Sequence, residues 1–263
     1  KDAAGIFEFS PGKYLAQVTG VAQESGETAV RFIQLDGTNL GGRVSSFSIR
    51  GYKEKTKDFE LSFFLDGMEA RKVLIVAKGK NSFDQAGISG GLPNPEIGNQ
   101  QWSWLPKSSN DDWEDYYRAE EVAQTGFAPE SGSNEAAILM DLSPGYHFFN
   151  IGNSMFANEG LVEVVVYDLG KGDENGGPPF SESNQEIFDD NHFMSNLSVT
   201  GSVGDGKTIE LDFVAEGKPS WLIINGLSKE DAQAGGTDPK LELFNKNEKM
   251  VGVSDNWREE NSS

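Results

Sequence analysis

Internal repetition is the feature of this sequence that most constrains its fold. Residues 134–168 resemble residues 3–36, and the turn Ser143-Pro144-Gly145 of the later segment stands where Ser10-Pro11-Gly12 stands in the earlier one. Segments that repeat in this way fold into repeated structural units. We therefore treat the two segments as copies of one building block, which we name the B half.

A second building block occurs in the middle of the chain and again near its end. Residues 44–51 resemble residues 194–201, and the match extends through the apolar segments that follow, as far as Trp113 and Trp257. We name this block the A half. The order along the chain is therefore B, A, B, A, so that one module is contiguous and the other is split between the two ends. The predicted units are an N-terminal half-module (1–37), a complete module (42–169), a linker rich in Gly and Pro (170–191) and a C-terminal half-module (192–263).

Short apolar segments separated by turns predict an all-β fold. Residues 6–9 and 59–65 alternate between apolar and polar side chains, which is the period of a strand with one buried face. Residues 79–99 contain Gly90-Gly91 and a Pro-Asn-Pro run and are predicted to form a loop, whereas residues 120–123 are predicted to form one helical turn. Many short strands with Gly-rich turns indicate two β-sandwich or jelly-roll-like modules.

The charge of the chain excludes several classes of partner. The formal net charge is -20 and the sequence pI is about 4.4. Nucleic acid and anionic membrane surfaces need clustered Lys and Arg, so we expect no binding to either. No apolar stretch approaches the roughly 20 residues of a membrane-spanning helix. The absence of cysteine excludes disulfides and thiolate metal sites.

Several segments resemble a known kind of repeat. Residues 196–206, the strand 238–244, the ending Ser254-Asp255-Asn256-Trp257 and the turn 142–145 are similar to the tandem β-sandwich repeats of large secreted bacterial surface proteins. The resemblance implies sandwich modules and a location outside the cell or at its surface. It supplies no catalytic residues, and residues 82–109 depart from the repeat pattern.

The split module predicts how such a chain assembles. A half-module left open exposes more apolar surface than a soluble monomer normally does, so something has to cover it. The two ends can meet within one chain, the A half of one molecule can receive the B half of the next, or the chain can be part of a longer array. We favour the second arrangement, which predicts a non-enzymatic extracellular subunit of a head-to-tail fibre or surface matrix.

The predicted joint is a strand-complementation interface between two copies of the chain. Full burial of one large apolar side chain contributes roughly 1.5–3 kcal/mol, so a joint made from many of them is long-lived. The complementing residues are Ile6, Phe7, Phe9, Leu15, Val18, Phe32 and Ile33, and the accepting residues are Leu197, Val199, Ile209, Leu211, Phe213, Trp221 and Ile223.

A pair of tryptophans supports an alternative function. Trp102 and Trp104 alternate in a polar stretch, which places both rings on one face if that stretch is extended. Two aligned rings can stack against a sugar, so the alternative is a monomeric carbohydrate-binding or adhesin module that closes on itself and binds a surface polysaccharide. The same rings can instead cover a sheet edge or an interface, where aromatic residues are enriched.

Two acidic loops, each built around a tryptophan, are candidate sites for a structural Ca²⁺, although the fold requires no cofactor. Ca²⁺ takes six to eight oxygen ligands from such loops, but neither loop has the spacing of an EF-hand. The competing interpretation is that each tryptophan plugs the end of a module while the carboxylates bind nearby backbone groups. The candidate ligands are Asp111, Asp112 and Asp115 in the first loop and Asp255 and Glu259 in the second.

No enzymatic motif is present in the sequence. The two histidines are His147, in an apolar strand, and His192, and neither belongs to a nucleophile elbow, a phosphate-binding loop or a His-Glu-x-x-His motif. The 42 acidic residues are too numerous to single out a pair for glycoside hydrolysis. We therefore predict no catalytic residues.

Overall fold

The described part of the chain is predominantly β-strand. The computed structural model describes residues 2–21, 25–35, 42–99, 109–153, 158–172, 194–228 and 237–255. Its strands are β1 (Ala3–Phe9), β2 (Gly12–Gly20), β3 (Gly26–Gln34), β4 (Gly42–Lys53), β5 (Phe59–Leu65), β6 (Arg71–Lys78), β7 (Pro95–Asn99), β8 (Ser109–Asn110), β9 (Ala136–Leu142), β10 (Gly145–Asn153), β11 (Gly160–Lys171), β12 (Met194–Val203), β13 (Ile209–Gly217), β14 (Ser220–Ser228), β15 (Pro239–Asn245) and β16 (Met250–Ser254). The helices are α1 (Lys80–Gln85) and α2 (Ala119–Gln124), with a 3-10 turn at Trp113–Asp115. The all-β prediction and the helical turn predicted at 120–123 are confirmed.

Side-chain alternation explains why these segments form strands. Along β5, Phe59, Leu61, Phe63 and Leu65 are buried, and the residues between them are partly or fully exposed. Successive side chains of a strand point to opposite faces, so this spacing gives the strand one apolar face. The equivalent strand β13 has the same pattern.

Hydrogen bonding arranges the strands in two rows of eight, which are linked by a bridge between β12 and β4. The first row has the order β1, β14, β3, β12, β5, β10, β7, β8. The second row has the order β16, β15, β2, β13, β4, β11, β6, β9. Rings of the two rows meet, because the ring centroids of Phe9 and Phe213 lie 5.2 Å apart and those of Phe47 and Phe63 lie 6.1 Å apart. The finer prediction of sandwich or jelly-roll-like modules stays a prediction.

The two halves of each row are built from equivalent strand pairs. We name β1 to β3 with β12 to β16 the split module, and β4 to β11 the contiguous module. In the split module β1 pairs with β14, β14 with β3 and β3 with β12, and in the contiguous module β9 pairs with β6, β6 with β11 and β11 with β4. The remaining strands also correspond, since β13, β2, β15 and β16 are joined in the same order as β5, β10, β7 and β8. The sequence repeats thus coincide with a repeated strand arrangement.

The modules are fused along two strand pairs. β4 pairs with β13, where Ile49 lies opposite Leu211, and β5 pairs with β12, where Leu61 lies opposite Val199. All four of these side chains are buried. Each row therefore continues from one module into the other, and the apolar core is shared.

Two equivalent glycines make room for a ring at this junction. Gly51 of β4 and Gly201 of β12 both approach Phe59, and a Cβ atom would lie 2.4 Å from its ring at Gly51 and 2.7 Å from it at Gly201. No side chain fits at such distances. Glycine at both positions thus allows the Phe59 ring to pack directly on the backbone of the neighbouring strands.

In the single chain the two ends of the split module pair with each other, which is one of the three arrangements that the sequence left open. β1 and β3 join the first row beside β14 and β12, and β2 joins the second row between β13 and β15. The apolar faces that the open halves would have exposed are buried against each other, as at Val18, which lies opposite Ile209.

The prediction of a loop over residues 79–99 is wrong in part, because this segment contains α1 and β7. Pro95 opens β7, where a missing backbone N–H is tolerated. Residues 173–193, which include most of the predicted linker, lie outside the described residues.

Candidate functional site

Equivalent carboxylates fix the chain where it leaves β6 and β14. Glu135 is 1% exposed and accepts hydrogen bonds from the N–H of Gly79 at 3.0 Å and from the N–H and hydroxyl of Ser82, each at 2.9 Å. Asp2 precedes β1 as Glu135 precedes β9, and it accepts a hydrogen bond from the N–H of Ser228 at 3.0 Å. A buried carboxylate is stable when donors surround it in this way. Both carboxylates therefore have a structural role.

The two Ser-Pro-Gly turns carry equivalent side chains of different chemistry. The Tyr14 hydroxyl donates a hydrogen bond to the Ser10 carbonyl at 2.9 Å, and His147 Nε2 donates one to the Ser143 carbonyl at 2.8 Å. His147 is 4% exposed, and its Nδ1 is buried without a hydrogen-bond partner. Burial lowers the pKa of His147, so the imidazole is neutral and built into the fold.

A polar row crosses the junction on the second row of strands. Gln17 donates a hydrogen bond to Glu210 at 3.0 Å, Arg50 lies 3.2 Å from Glu210, and Lys78 lies 3.2 Å from Glu163. Opposite charges on adjacent strands stabilise their register. The row continues through neighbouring positions on six strands, in the order Glu242, Gln17, Glu210, Arg50, Glu163 and Lys78.

An apolar row on the split module faces solvent. Ile6 lies opposite Ile223, and Ile223 lies opposite Ile33, on the adjacent strands β1, β14 and β3. We name these three residues the isoleucine row. Ile6 is 60% exposed, and the nearby Trp221 and Leu35 are each 46% exposed. An exposed apolar surface of this kind is a candidate interaction site.

A cleft of about 310 Å³ opens beside the isoleucine row. Its walls belong to β1, β2, β15 and β16, and Val251 and Val253 of β16 are 46% and 51% exposed. Exposed apolar side chains therefore occur on both sides of the cleft, on β1 and on the edge strand of the second row. The lining residues are Ile6, Phe7, Glu8, Phe9, Tyr14, Leu243, Asn245 and Val251.

The residues predicted to complement each other between molecules meet within one molecule. Phe32 lies opposite Leu197, and its ring centroid lies 4.8 Å from that of Phe213. The same contacts would form if the ends were exchanged between copies of the chain, so the predicted joint between molecules stays a prediction. The residues concerned are the complementing set Ile6, Phe7, Phe9, Leu15, Val18, Phe32 and Ile33 and the accepting set Leu197, Val199, Ile209, Leu211, Phe213, Trp221 and Ile223.

The first acidic loop places its carboxylates next to one another. Burial raises the pKa of Asp112, and the charges of Asp111 and Asp115 raise it further. Asp255 takes the position equivalent to Asp111 in the second loop, and Glu259 lies outside the described residues. Within the described ranges, no three His, Cys, Asp or Glu side chains are arranged to hold a metal ion. The calcium site stays a prediction.

Trp113 is buried, as the competing interpretation of this loop expects. It is 7% exposed, its N–H donates a hydrogen bond to the Glu135 carbonyl at 2.9 Å, and its Nε1 donates one to the Glu130 carbonyl at 3.2 Å. Residues 113–128, which we name the Trp113 cover, pack over the contiguous module. The hydroxyl of Tyr116 within this cover donates a hydrogen bond to the Leu139 carbonyl of β9 at 3.0 Å.

An exposed aromatic face was not anticipated from the sequence. Tyr146 and Phe148 of β10 are 53% and 39% exposed, with ring centroids 6.3 Å apart and planes 26° from parallel. The Phe64 ring of β5 lies 4.8 Å from the Tyr146 ring. The sequence signal for this face was the two-residue spacing of Tyr146 and Phe148, which places both rings on the same side of a strand. Trp102 and Trp104, the predicted sugar platform, lie outside the described residues.

Comparison with known proteins gives no relative: no protein-family model, curated protein or solved structure matches the chain. None of the described helices has the length and apolar character needed to cross a membrane. The class that the structure defines is therefore an all-β protein, and its function has to be inferred from the described residues themselves.

Proposed function

We propose that this chain is a non-enzymatic extracellular structural module, which forms a closed unit of a cell surface or matrix. The observation that carries the proposal is the closure of the split module, since β1, β2 and β3 pair with strands of the C-terminal half of the same chain. Two ends that complete each other give a unit of fixed shape. The net charge of -20 keeps such units soluble and separate.

Polar contacts between the two ends and between the two modules support a closed unit. The hydroxyls of Thr28 and Thr237 are hydrogen bonded at 3.0 Å in the buried interior, and Lys207 lies 3.1 Å from Glu54 across the junction of the modules. The fused junction makes the two modules one body. A body of this kind suits a spacer or scaffold, which has to keep its length under load.

A disulfide test distinguishes closure from exchange between molecules. The chain has no cysteine, and Glu8 lies opposite Trp221 on β1 and β14. Opposed residues on antiparallel strands have Cα atoms about 4.5–5.5 Å apart, within the range of about 4.4–6.8 Å that a disulfide needs. We expect the double variant Glu8→Cys with Trp221→Cys to oxidise to a cross-linked monomer at every protein concentration.

The single variants are the matched controls, because each can form only an intermolecular dimer. A ladder of disulfide-linked multimers from the double variant would replace the closed unit by a head-to-tail fibre, in which β1 to β3 are exchanged between copies through the segment 36–41. Electron microscopy of the same sample would then show filaments. Covalent monomers without filaments support the closed unit.

Polysaccharide binding is a second candidate function, favoured by the exposed face of Tyr146 and Phe148. Nearly parallel rings offer a flat apolar surface, and Ser62 and Asn150 on the same two strands lie beside them in register. Flat rings flanked by polar groups suit the faces and hydroxyls of a sugar chain. We expect Tyr146→Ala to weaken retention of the protein on an insoluble polysaccharide, whereas Val253→Ala, on the opposite edge strand, leaves it unchanged. Equal retention of the two variants would remove this candidate.

A further inference from the structure

The exposed aromatic face on β10 and β5 is not required by the fold. β10 pairs with β5 in the contiguous module as β2 pairs with β13 in the split module, and the two pairs have the same register, so each position has an equivalent. None of the equivalent positions carries a ring, although the strands pair in the same way. Rings at these positions therefore serve something other than strand pairing. The aromatic face consists of Phe64, Tyr146 and Phe148, and the equivalent residues are Val214, Lys13 and Leu15.

The rings of the aromatic face hold one another in place. The Phe64 ring meets the Tyr146 ring edge to face, with planes 65° from parallel, and the Phe148 ring is inclined to the Tyr146 ring by only 26°. Tyr146 and Phe148 nevertheless stay exposed. Rings that are fixed before binding lose little conformational freedom when a ligand stacks on them. The face is thus a prepared surface for a flat apolar ligand.

The strands around the aromatic face carry negative charge only. β12, β5, β10 and β7 are adjacent in the first row, and they contain Glu60 and Glu96 but neither lysine nor arginine. Glu60 lies opposite Asn150, which is two residues from Phe148 on the same side of β10. Burial raises the pKa of Glu96, and the charges of Asp111 and Asp58 raise it further, as expected where carboxylates lie together without a cation.

The cation that shares this register lies too far away to balance these charges. Phe148 lies opposite Ser62, Ser62 opposite Ser198, and Ser198 opposite Arg31 on β3. Three strand spacings amount to about 14 Å. Exposed charges separated by more than the Debye length, about 8 Å at physiological ionic strength, are largely screened from each other. A ligand on the aromatic face therefore meets a negative potential.

We propose that the aromatic face binds a neutral polysaccharide and excludes acidic ones, and that Glu60 is the residue that makes this distinction. The proposal rests on the polysaccharide-binding candidate described above and adds the class of ligand. The negative face of an aromatic ring attracts the partly positive C–H groups of a sugar ring. A carboxylate accepts hydrogen bonds from sugar hydroxyls but repels a uronate or a sulfate, so the same residue favours one class and disfavours the other.

Affinity electrophoresis of the full chain tests the proposal. Native gels would contain dextran, mannan or hydroxyethyl cellulose, or the carboxymethyl derivative of the same backbone, and mobility would be compared with that in a gel without polymer. We expect a neutral polymer to retard the chain, and its carboxymethyl derivative to bind about tenfold more weakly at low salt. Two added carboxylates about 6 Å from Glu60 would each weaken binding about threefold in water.

Three variants locate the effect. Tyr146→Lys with Phe148→Leu copies the equivalent residues of the split module and should abolish retardation by the neutral polymer. Glu60→Gln should remove most of the tenfold difference between the neutral and the carboxymethyl polymer. Glu8→Gln is the matched control, because it changes the net charge equally but lies on β1, four strand spacings or about 19 Å from β5, and it should leave the difference in place.

Four outcomes would overturn the proposal. Equal retardation by neutral and carboxymethyl polymers would remove the selection and leave the polysaccharide-binding candidate standing. No retardation by any polymer would remove that candidate together with the proposal. A difference that Glu8→Gln abolishes as fully as Glu60→Gln would mean that net charge makes the distinction. Self-association, measured by light scattering, that the variant Tyr146→Lys with Phe148→Leu abolishes would show that a second copy of the chain occupies the face.

Discussion

The contiguous and the split module have the same strand pairs, but their outer faces differ in solvent exposure. Leu74 on β6 is fully buried beneath the Trp113 cover, whereas its equivalent Ile223 on β14 belongs to a row in which Ile6 is 60% exposed. Both residues are aliphatic, so the apolar character of the outer face is the same in the two modules. The inward faces of the strands therefore determine the framework, and the segments inserted between strands determine which outer surface stays open.

The largest expected effect comes from truncating one outward apolar side chain in each module, Leu74 in the contiguous module and Ile223 in the split module. Leu74→Ala should lower the free energy of unfolding by about 2–5 kcal/mol, because it leaves a cavity in a closed interior. Ile223→Ala should lower it by only about 1 kcal/mol, since part of that side chain already meets water. Urea unfolding followed by circular dichroism gives both values. An equal loss in the two variants would contradict the difference in burial between the modules.

A second comparison concerns the carboxylates Glu135 and Asp2. Glu135→Ala removes the acceptor for three donors in a buried site and should cost about 3 kcal/mol, because unsatisfied buried donors are expensive. Asp2→Ala removes one partly buried hydrogen bond and should cost about 1 kcal/mol. The same unfolding measurement applies. An equal loss of unfolding free energy for Asp2→Ala and Glu135→Ala would mean that the two carboxylates stabilise their modules to the same extent.

The third comparison sets His147 against Tyr14. The folded protein favours the neutral imidazole of His147, so its pKa lies below the ordinary value of 6.5 that it has in the unfolded chain. As the pH falls through 6.5, the unfolded chain takes up the proton first, and the free energy of unfolding decreases until the pH passes below the folded pKa.

The variant His147→Tyr isolates this effect. It copies the Tyr14 turn of the split module, keeps a hydrogen-bond donor for the Ser143 carbonyl, and removes the titrating group. We expect the difference in stability between the variant and the parent to grow in favour of the variant between about pH 8 and about pH 5.5. A difference that does not change with pH would show that folding does not lower the pKa of His147.

The inward face of the fold was readable from the sequence because it depends on local spacing. Phe59 and Phe213 lie in strands whose side chains alternate between apolar and polar, and the Ser-Pro-Gly turns mark the ends of β1 and β9. α1 was missed because its start is held by Glu135, which lies 53 residues further along the chain from Ser82. Periodicity carries no information about such a distant partner.

The candidate site was only partly readable for a related reason. The sequence identified Ile6 and Trp221 as apolar residues that need a partner, but the same alternation describes a buried row and an exposed one. Only the paired strands show that Ile6 stands where Leu139 is covered. The location of the joint, within one chain or between two, depended on whether the chain ends meet, which local patterns do not report.

The smallest expected effect separates the two junctions between the modules. On β4 and β13, Arg50 lies opposite Glu210 at 3.2 Å, whereas the equivalent neighbours on β12 and β5 are Thr200 and Glu60, which form no pair of opposite charges. A double-mutant cycle with Arg50→Gln and Glu210→Gln should give a coupling energy of about 0.5 kcal/mol at low salt, because both side chains are partly exposed. High salt should reduce it, since mobile ions screen an exposed pair. A coupling that salt leaves unchanged would mean that Arg50 and Glu210 are shielded from solvent at the junction. The charged row would then contribute more to the fusion of the modules than the apolar pair of Ile49 and Leu211 beside it.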